Sequence, residues 1–259
     1  SSSCRWVRQS TAISEKADII FSGAGLPLDL PSYLREDSTT KLVPIVSSAR
    51  AARVICEKWK ANYDYLPDAL VVEGPKAGGH LGYKREQIDN ADYSLERIVP
   101  EVVSEVGRYE ELYGRRIPVI AAGGLYTGED IYRIMRLGAT GVQLGSKFVT
   151  TEECDASPTF KQTYIDSSKD DIEIIASPVG MPGRAIGGEF IRRVKEGLMR
   201  PKKCPFHCIK TCDYTKSPYC IIMALYNAAK GNLSKGYAFC GANAYISKKI
   251  TSVRETIES

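Results

Sequence analysis

His80 stands inside Gly74-Pro-Lys-Ala-Gly-Gly-His-Leu-Gly82. An imidazole changes protonation near neutral pH, which makes it the side chain best matched to moving a substrate proton there. The glycines around it, Gly74, Gly78, Gly79 and Gly82, let backbone pass close to a ligand where a Cβ would stand in the way. Two further glycine turns, Ala121-Ala-Gly-Gly-Leu125 and Gln143-Leu-Gly-Ser146, each follow an apolar run. The backbone N–H groups of such turns bind an anion without a charged side chain, and Ser146 adds a hydroxyl. A third constellation is Cys204, Cys208, Cys212 and Cys220, with His207 among them. Four thiols suit zinc or an iron–sulfur cluster, and His207 could replace one of them. The first three recur every fourth residue, which would line them along one helical face. The alternative is a set of small thiols buried in a packed tail.

These groups need elements that position them. Ala69–Val72 is a short apolar, β-branched run, the pattern of a buried strand leading into the His80 loop. Similar runs lie at Ala17–Gly25, Leu42–Ser48, Ile117–Ala122 and Gly141–Gly145. Pro44 is tolerable near the start of its strand. Ala49–Lys60 reads as a helix with Ala51, Ala52, Ile55, Cys56 and Trp59 on one face. Ser94–Tyr113 is amphipathic, with Pro100 marking a helix's first turn. A helix capped by Thr127 buries Ile131, Ile134 and Met135 and stops at Gly138. Strand, glycine turn and helix thus alternate, and strands this apolar imply a parallel sheet covered by helices. A closed eight-stranded barrel and an open doubly wound sheet both fit. Five strands are expected before residue 150 and none after it. Beyond that point the pattern gives a partly helical Thr151–Lys169, a loop at Ser177–Ile186 with Arg184, a helix at Glu189–Leu198, a helix around Cys220–Lys230 and a short helix near the end. Residues 1–200 form the barrel portion and residues 201–259 a Cys-rich extension, with Pro201-Lys-Lys203 as the boundary.

At 259 residues the chain has the length of one α/β barrel, about 250 residues. Its net charge of +4 is mild and its Lys and Arg are scattered, so nucleic acid is not an expected partner. No apolar run reaches the roughly 18 residues of a membrane span, and the N-terminus lacks the apolar core of a signal peptide. Eight cysteines in a chain this large point to free thiols or a metal in a reducing, cytoplasmic setting.

Three stretches together resemble the nitronate monooxygenases, also called the 2-nitropropane dioxygenase family, and the related flavin-dependent enoyl-ACP reductases. They are Asp68-Ala-Leu-Val-Val-Glu-Gly-Pro-Lys-Ala-Gly-Gly-His-Leu-Gly82, Ile117-Pro-Val-Ile-Ala-Ala-Gly-Gly124 and Gly141-Val-Gln-Leu-Gly-Ser146, the last followed by Phe148 and Thr150-Thr-Glu152. The resemblance covers about residues 17–198. It implies an FMN-binding TIM barrel of the (β/α)8 type, with His80 as the catalytic histidine. It implies flavin contacts from Glu73, Gly78 and Gly79, from Gly123 and Gly124, and from Gln143, Leu144, Gly145 and Ser146. It implies a small-molecule substrate: an alkyl nitronate oxidised with dioxygen, or an enoyl thioester reduced with NAD(P)H. His80 would be the base for a neutral nitroalkane in the first case and would orient or protonate the thioester in the second. The family also begins with three more βα units, which this sequence replaces with about sixteen residues lacking a strand period. A truncated, non-catalytic barrel fragment is therefore the rival expectation. Sheet edges exposed by such a barrel would suit a second copy in a homo-oligomer. Glu73 stands where the nitronate monooxygenases usually carry Gln and the reductases often carry Glu.

Overall fold

The computed structural model describes residues 10–23, 25–208 and 212–259. Most of the N-terminal stretch read as lacking a strand period lies outside the described residues, as do residues 209–211 within the cysteine cluster. The chain divides into two compact units. The first comprises Ser1–Pro75, Asp89–Ala122 and Glu129–Gln143, and the second Lys76–Ile88, Gly123–Gly128 and Leu144–Ser259.

The first unit carries the βα alternation. Strands β1 (Ile19–Ser22), β2 (Lys41–Val46), β3 (Leu70–Glu73), β5 (Val119–Ala122) and β6 (Gly141–Gln143) form one five-stranded sheet in the order β1-β2-β3-β5-β6. Every pairing in it is parallel. The apolar runs explain the arrangement: Val43, Val71 and Ala122 are buried together on the sheet. Helix α1 (Ala49–Tyr63) buries Ala52, Ile55, Cys56 and Trp59, and Ser48 caps it by accepting from the Ala51 N–H. Helix α2 (Leu95–Tyr113) buries Leu95, Ile98, Val99, Val102 and Val106. The Asp68 carboxylate ties the start of β3 to its neighbours, accepting from Leu42 N at 2.8 Å and Arg115 Nη2 at 2.6 Å.

Two expectations for this unit need correcting. Pro100 lies inside α2, beyond its first turn, because the helix already begins at Leu95. Met135 is exposed on α3 (Gly128–Arg136), where only Ile134 is buried: nine residues bury a narrower face than the apolar pattern suggested.

The second unit contains strands the sequence did not announce. Strands β4 (Gly79–His80), β7 (Ile172–Ala176) and β8 (Pro182–Ile186) form an antiparallel sheet in the order β4-β8-β7. The Ser177–Ile186 stretch is therefore the turn and second strand of a hairpin. Short helices α4 (Ser146–Val149), α5 (Pro158–Asp166), α6 (Glu189–Lys195), α7 (Ile221–Ala229) and α8 (Val253–Glu258) complete the unit. Its core gathers Ile175, Ala185, Phe190, Ile191, Tyr219, Ile221, Ala224 and Tyr237. Among the described residues no helix is long and apolar enough to cross a membrane.

Candidate active site

His80 sits on a two-residue strand. β4 pairs with β8 so that Gly79 faces Arg184 and His80 faces Gly183. The register is held from both sides: Leu81 N donates to Pro182 O at 2.9 Å, and the buried Arg184 donates from Nη1 to Ala77 O at 2.8 Å. The imidazole lies edge-on to the Phe239 ring, with centroids 5.0 Å apart. Its Nε2 is 2.7 Å from Ser177 Oγ, at the end of β7. Burial lowers the His80 pKa from its ordinary 6.5, so the ring is neutral at pH 7.

The glycines fall into two kinds. Gly78 and Gly124 are demanded by the protein itself. A Cβ on Gly78 would lie 2.6 Å from Cys240 C and 2.7 Å from Gly241 N, both backbone atoms. Gly124 has φ +80°, and a Cβ there would lie 2.6 Å from Lys76 Cβ. Gly79 needs glycine for its φ of +76°, yet a Cβ on it, as on Gly145, would meet no protein atom within 4 Å. Packing gives no reason for glycine at Gly145, whose φ of −115° suits any residue. Open space beside backbone is what a cradle for a flavin phosphate needs, so these turns fit the group the family resemblance implies. Ser146 Oγ accepts from Gly241 N at 2.7 Å, which leaves its own hydrogen free to donate. Asn243 Nδ2 donates to Gly124 O at 2.7 Å and fixes that turn. Gly123, with φ +99°, and Leu144 lie in the same two turns.

Glu73 and Gln143 belong to the first unit, at the C-terminal ends of β3 and β6. Burial raises the Glu73 pKa from 4.5 to about 7. The folded state therefore binds a proton more tightly than the unfolded chain. Stability from this group is fully present below pH 4.5 and is lost as pH rises through about 7. Glu73→Gln is expected to flatten the decline of the urea midpoint between pH 4.5 and 7; an unchanged slope would assign the decline to other groups.

The cysteines do not bear out the metal reading. Cys204, Cys208, Cys212 and Cys220 line one small pocket with Pro178, Tyr219 and Ile221. Among the described residues, however, no group of three or more His, Cys, Asp or Glu is placed to hold a metal ion. The spacing argument assumed a helix, but His207 has φ +43°, outside helical backbone, so the thiols do not stack on one face. Zinc or an iron–sulfur cluster at these residues is thus unsupported.

Ser177, Tyr219, Tyr237 and Phe239 escaped the sequence reading. Only Ser177 had an available signal: it ends the β-branched run Ile172-Glu-Ile-Ile-Ala176 and opens a Pro/Gly-rich turn, the pattern of a hairpin.

A probable nitronate monooxygenase of Staphylococcus saprophyticus is 33% identical over 138 residues, covering 52% of this chain and 36% of that protein. The chain thus spans about a third of that relative's length. The structure of FabK from Thermotoga maritima matches with a TM-score of 0.71 and 26% identity, covering 96% of this chain and 68% of that one. Nitroalkane oxidase from Streptomyces ansochromogenes shares the fold, with a TM-score of 0.71 at 20% identity over 98% of this chain and 66% of that one. The nitronate monooxygenase family profile matches residues 2–259, and the chain belongs to that family.

Proposed function

We propose that this chain acts as an FMN-dependent oxidoreductase that oxidises alkyl nitronates with dioxygen. The observation that carries the reading is His80, a neutral, half-buried imidazole fixed by Ser177 and framed by glycines. FMN, when bound, supplies the redox chemistry, while the protein supplies placement and electrostatics. Gly124, Gly145 and Ser146 would hold the phosphate through backbone donors and one hydroxyl, with Gly78, Gly79, Gly123 and Leu144 shaping the backbone around it. His80 would meet the substrate's polar end. Phe239 packs against that imidazole.

The absorbance spectrum of the purified chain with added FMN, followed by oxygen consumption with a preformed nitronate, tests the reading. Bound flavin and nitronate-dependent oxygen uptake are expected; a chain that takes up no flavin would be the non-catalytic fragment. Gly145→Val gives a sharper test of the cradle. No protein atom lies within 4 Å of the new Cβ, so the melting temperature should hold while FMN affinity falls at least tenfold, about 1.4 kcal/mol. Unchanged affinity would remove Gly145 from the phosphate site.

A second reading is a flavin-dependent enoyl-ACP reductase using NAD(P)H. The likeness to FabK at 26% identity favours it. NAD(P)H-dependent reduction of an enoyl thioester, with no oxygen uptake on nitronate, would select it.

A further inference from the structure

One short stretch of the second unit touches both turns of the phosphate cradle. Gly241 N donates to Ser146 Oγ at 2.7 Å, and Asn243 Nδ2 donates to Gly124 O at 2.7 Å. Ser247 Oγ then meets the Tyr126 hydroxyl and accepts from Thr150 Oγ1 at 3.0 Å. Residues 241–247 thus clamp the turn at 123–126 at two points and tie it to the segment that carries Ser146. Asn243 does not serve its own turn. It heads the 3₁₀ helix Ala244–Ile246, where an asparagine oxygen usually caps the first N–H groups, yet it makes no such bond. Its amide nitrogen instead reaches a carbonyl 119 residues away. That contact fixes the next donor along the chain. No described peptide bond is cis. In a planar trans peptide the C=O and the N–H point in opposite directions. With the Gly124 carbonyl drawn to Asn243, the Leu125 N–H points away from the clamp. Among the described residues no protein acceptor meets it, and Leu125 is only partly buried. A backbone N–H held in one direction at an accessible surface is a donor ready for an anion.

We propose that Asn243 is a positioning residue for the flavin phosphate: by holding the Gly124 carbonyl it presents the Leu125 N–H as a further phosphate donor, in addition to the Ser146 hydroxyl. The assignment rests on the flavin reading given under the proposed function. The turn needs such a clamp because Gly123 and Gly124, with φ of +99° and +80°, supply no side chain to hold it. Without the Asn243 amide the Gly124–Leu125 peptide turns more freely, and its N–H faces the phosphate only part of the time. The isoalloxazine ring and the ribityl chain carry no phosphate charge. The loss therefore falls on a flavin that bears the phosphate.

The test compares FMN with riboflavin, which lacks the phosphate, on the full chain. Asn243→Ala should raise the Kd for FMN about tenfold while the Kd for riboflavin stays within about twofold. A generally loosened site would weaken both flavins alike. Asn243→Asp keeps the size of the side chain but sets a carboxylate against the Gly124 carbonyl, so its preference for FMN should fall at least as far. Should Asn243→Ala not fold, Asn243→Asp reads the same loss. The donor itself is read in a chain labelled with ¹⁵N-leucine, where Leu125→Ile assigns the signal. The Leu125 amide should shift on addition of FMN and not of riboflavin, and the shift should shrink in Asn243→Ala. An unchanged ratio of FMN to riboflavin affinity in either folded variant, or a Leu125 amide that FMN does not move, would overturn the proposal. A chain that binds neither flavin overturns it together with the flavin reading. Binding that behaves as expected in a chain with no nitronate-dependent oxygen uptake would leave the role of Asn243 intact and sink the nitronate reading instead.

Discussion

Replacing His80 with asparagine is expected to slow turnover of a neutral nitroalkane by about 10²–10⁴-fold, the range for a lost general base, while flavin stays bound. A preformed nitronate needs no proton removed, and it should lose far less. The two substrates therefore separate proton removal from shaping of the pocket, and steady-state kcat/KM on each, after flavin content is measured, reads them apart. Equal losses on both substrates would reduce His80 to shaping the pocket.

Gly78→Ala is expected to cost stability and activity together. The new methyl carbon would sit 2.6 Å from Cys240 C, 2.7 Å from Gly241 N and 2.8 Å from Cys240 O. None of these is the far end of a flexible side chain, so one backbone segment must move. Overpacking of this kind costs about 1–3 kcal/mol, which lowers the melting temperature of a chain this size by about 3–10 °C. The displaced segment is covalently followed by Gly79 and His80, whose pairing to Arg184 and Gly183 fixes the imidazole. Turnover should therefore fall in the fraction that remains folded. Gly145→Ala is the control, because its methyl group meets no protein atom within 4 Å. A melting temperature for Gly78→Ala equal to that of the control would mean the close approach relaxes without cost.

The parallel strands were legible because burial on both faces leaves a compositional mark: Leu70–Val72 and Val119–Ala122 are apolar without alternation. The antiparallel strands were not. β4 is two residues long, too short to show any period, and exists only because β8 lies beside it. β8 carries Pro182 and Gly183, residues that read as a turn when met in sequence. Gly183 is there because a Cβ would lie 2.8 Å from Phe239 Cε1, a contact no local pattern contains. His80 stood out by residue type and setting. Its partner Ser177 lies 97 residues away, and nothing local links the two. The cysteines show the opposite failure: a regular spacing suggested a helix, and one left-handed residue, His207, breaks it.

The bonds that complete the second unit have a consequence for how the chain is made. Ser177 reaches His80 across 97 residues, and Asn243 reaches Gly124 across 119. Gly78 meets its closest neighbours at Cys240 and Gly241. A nascent chain that has already exposed the glycine loop must hold it open until residue 243 leaves the ribosome. At about 5–20 residues per second, that is a delay of roughly 10–30 s. During this interval the apolar strands can pair while His80 still lacks its partners. Ribosome profiling and pulse-labelled proteolysis should then find the His80 loop acquiring protection last, after synthesis has passed Asn243.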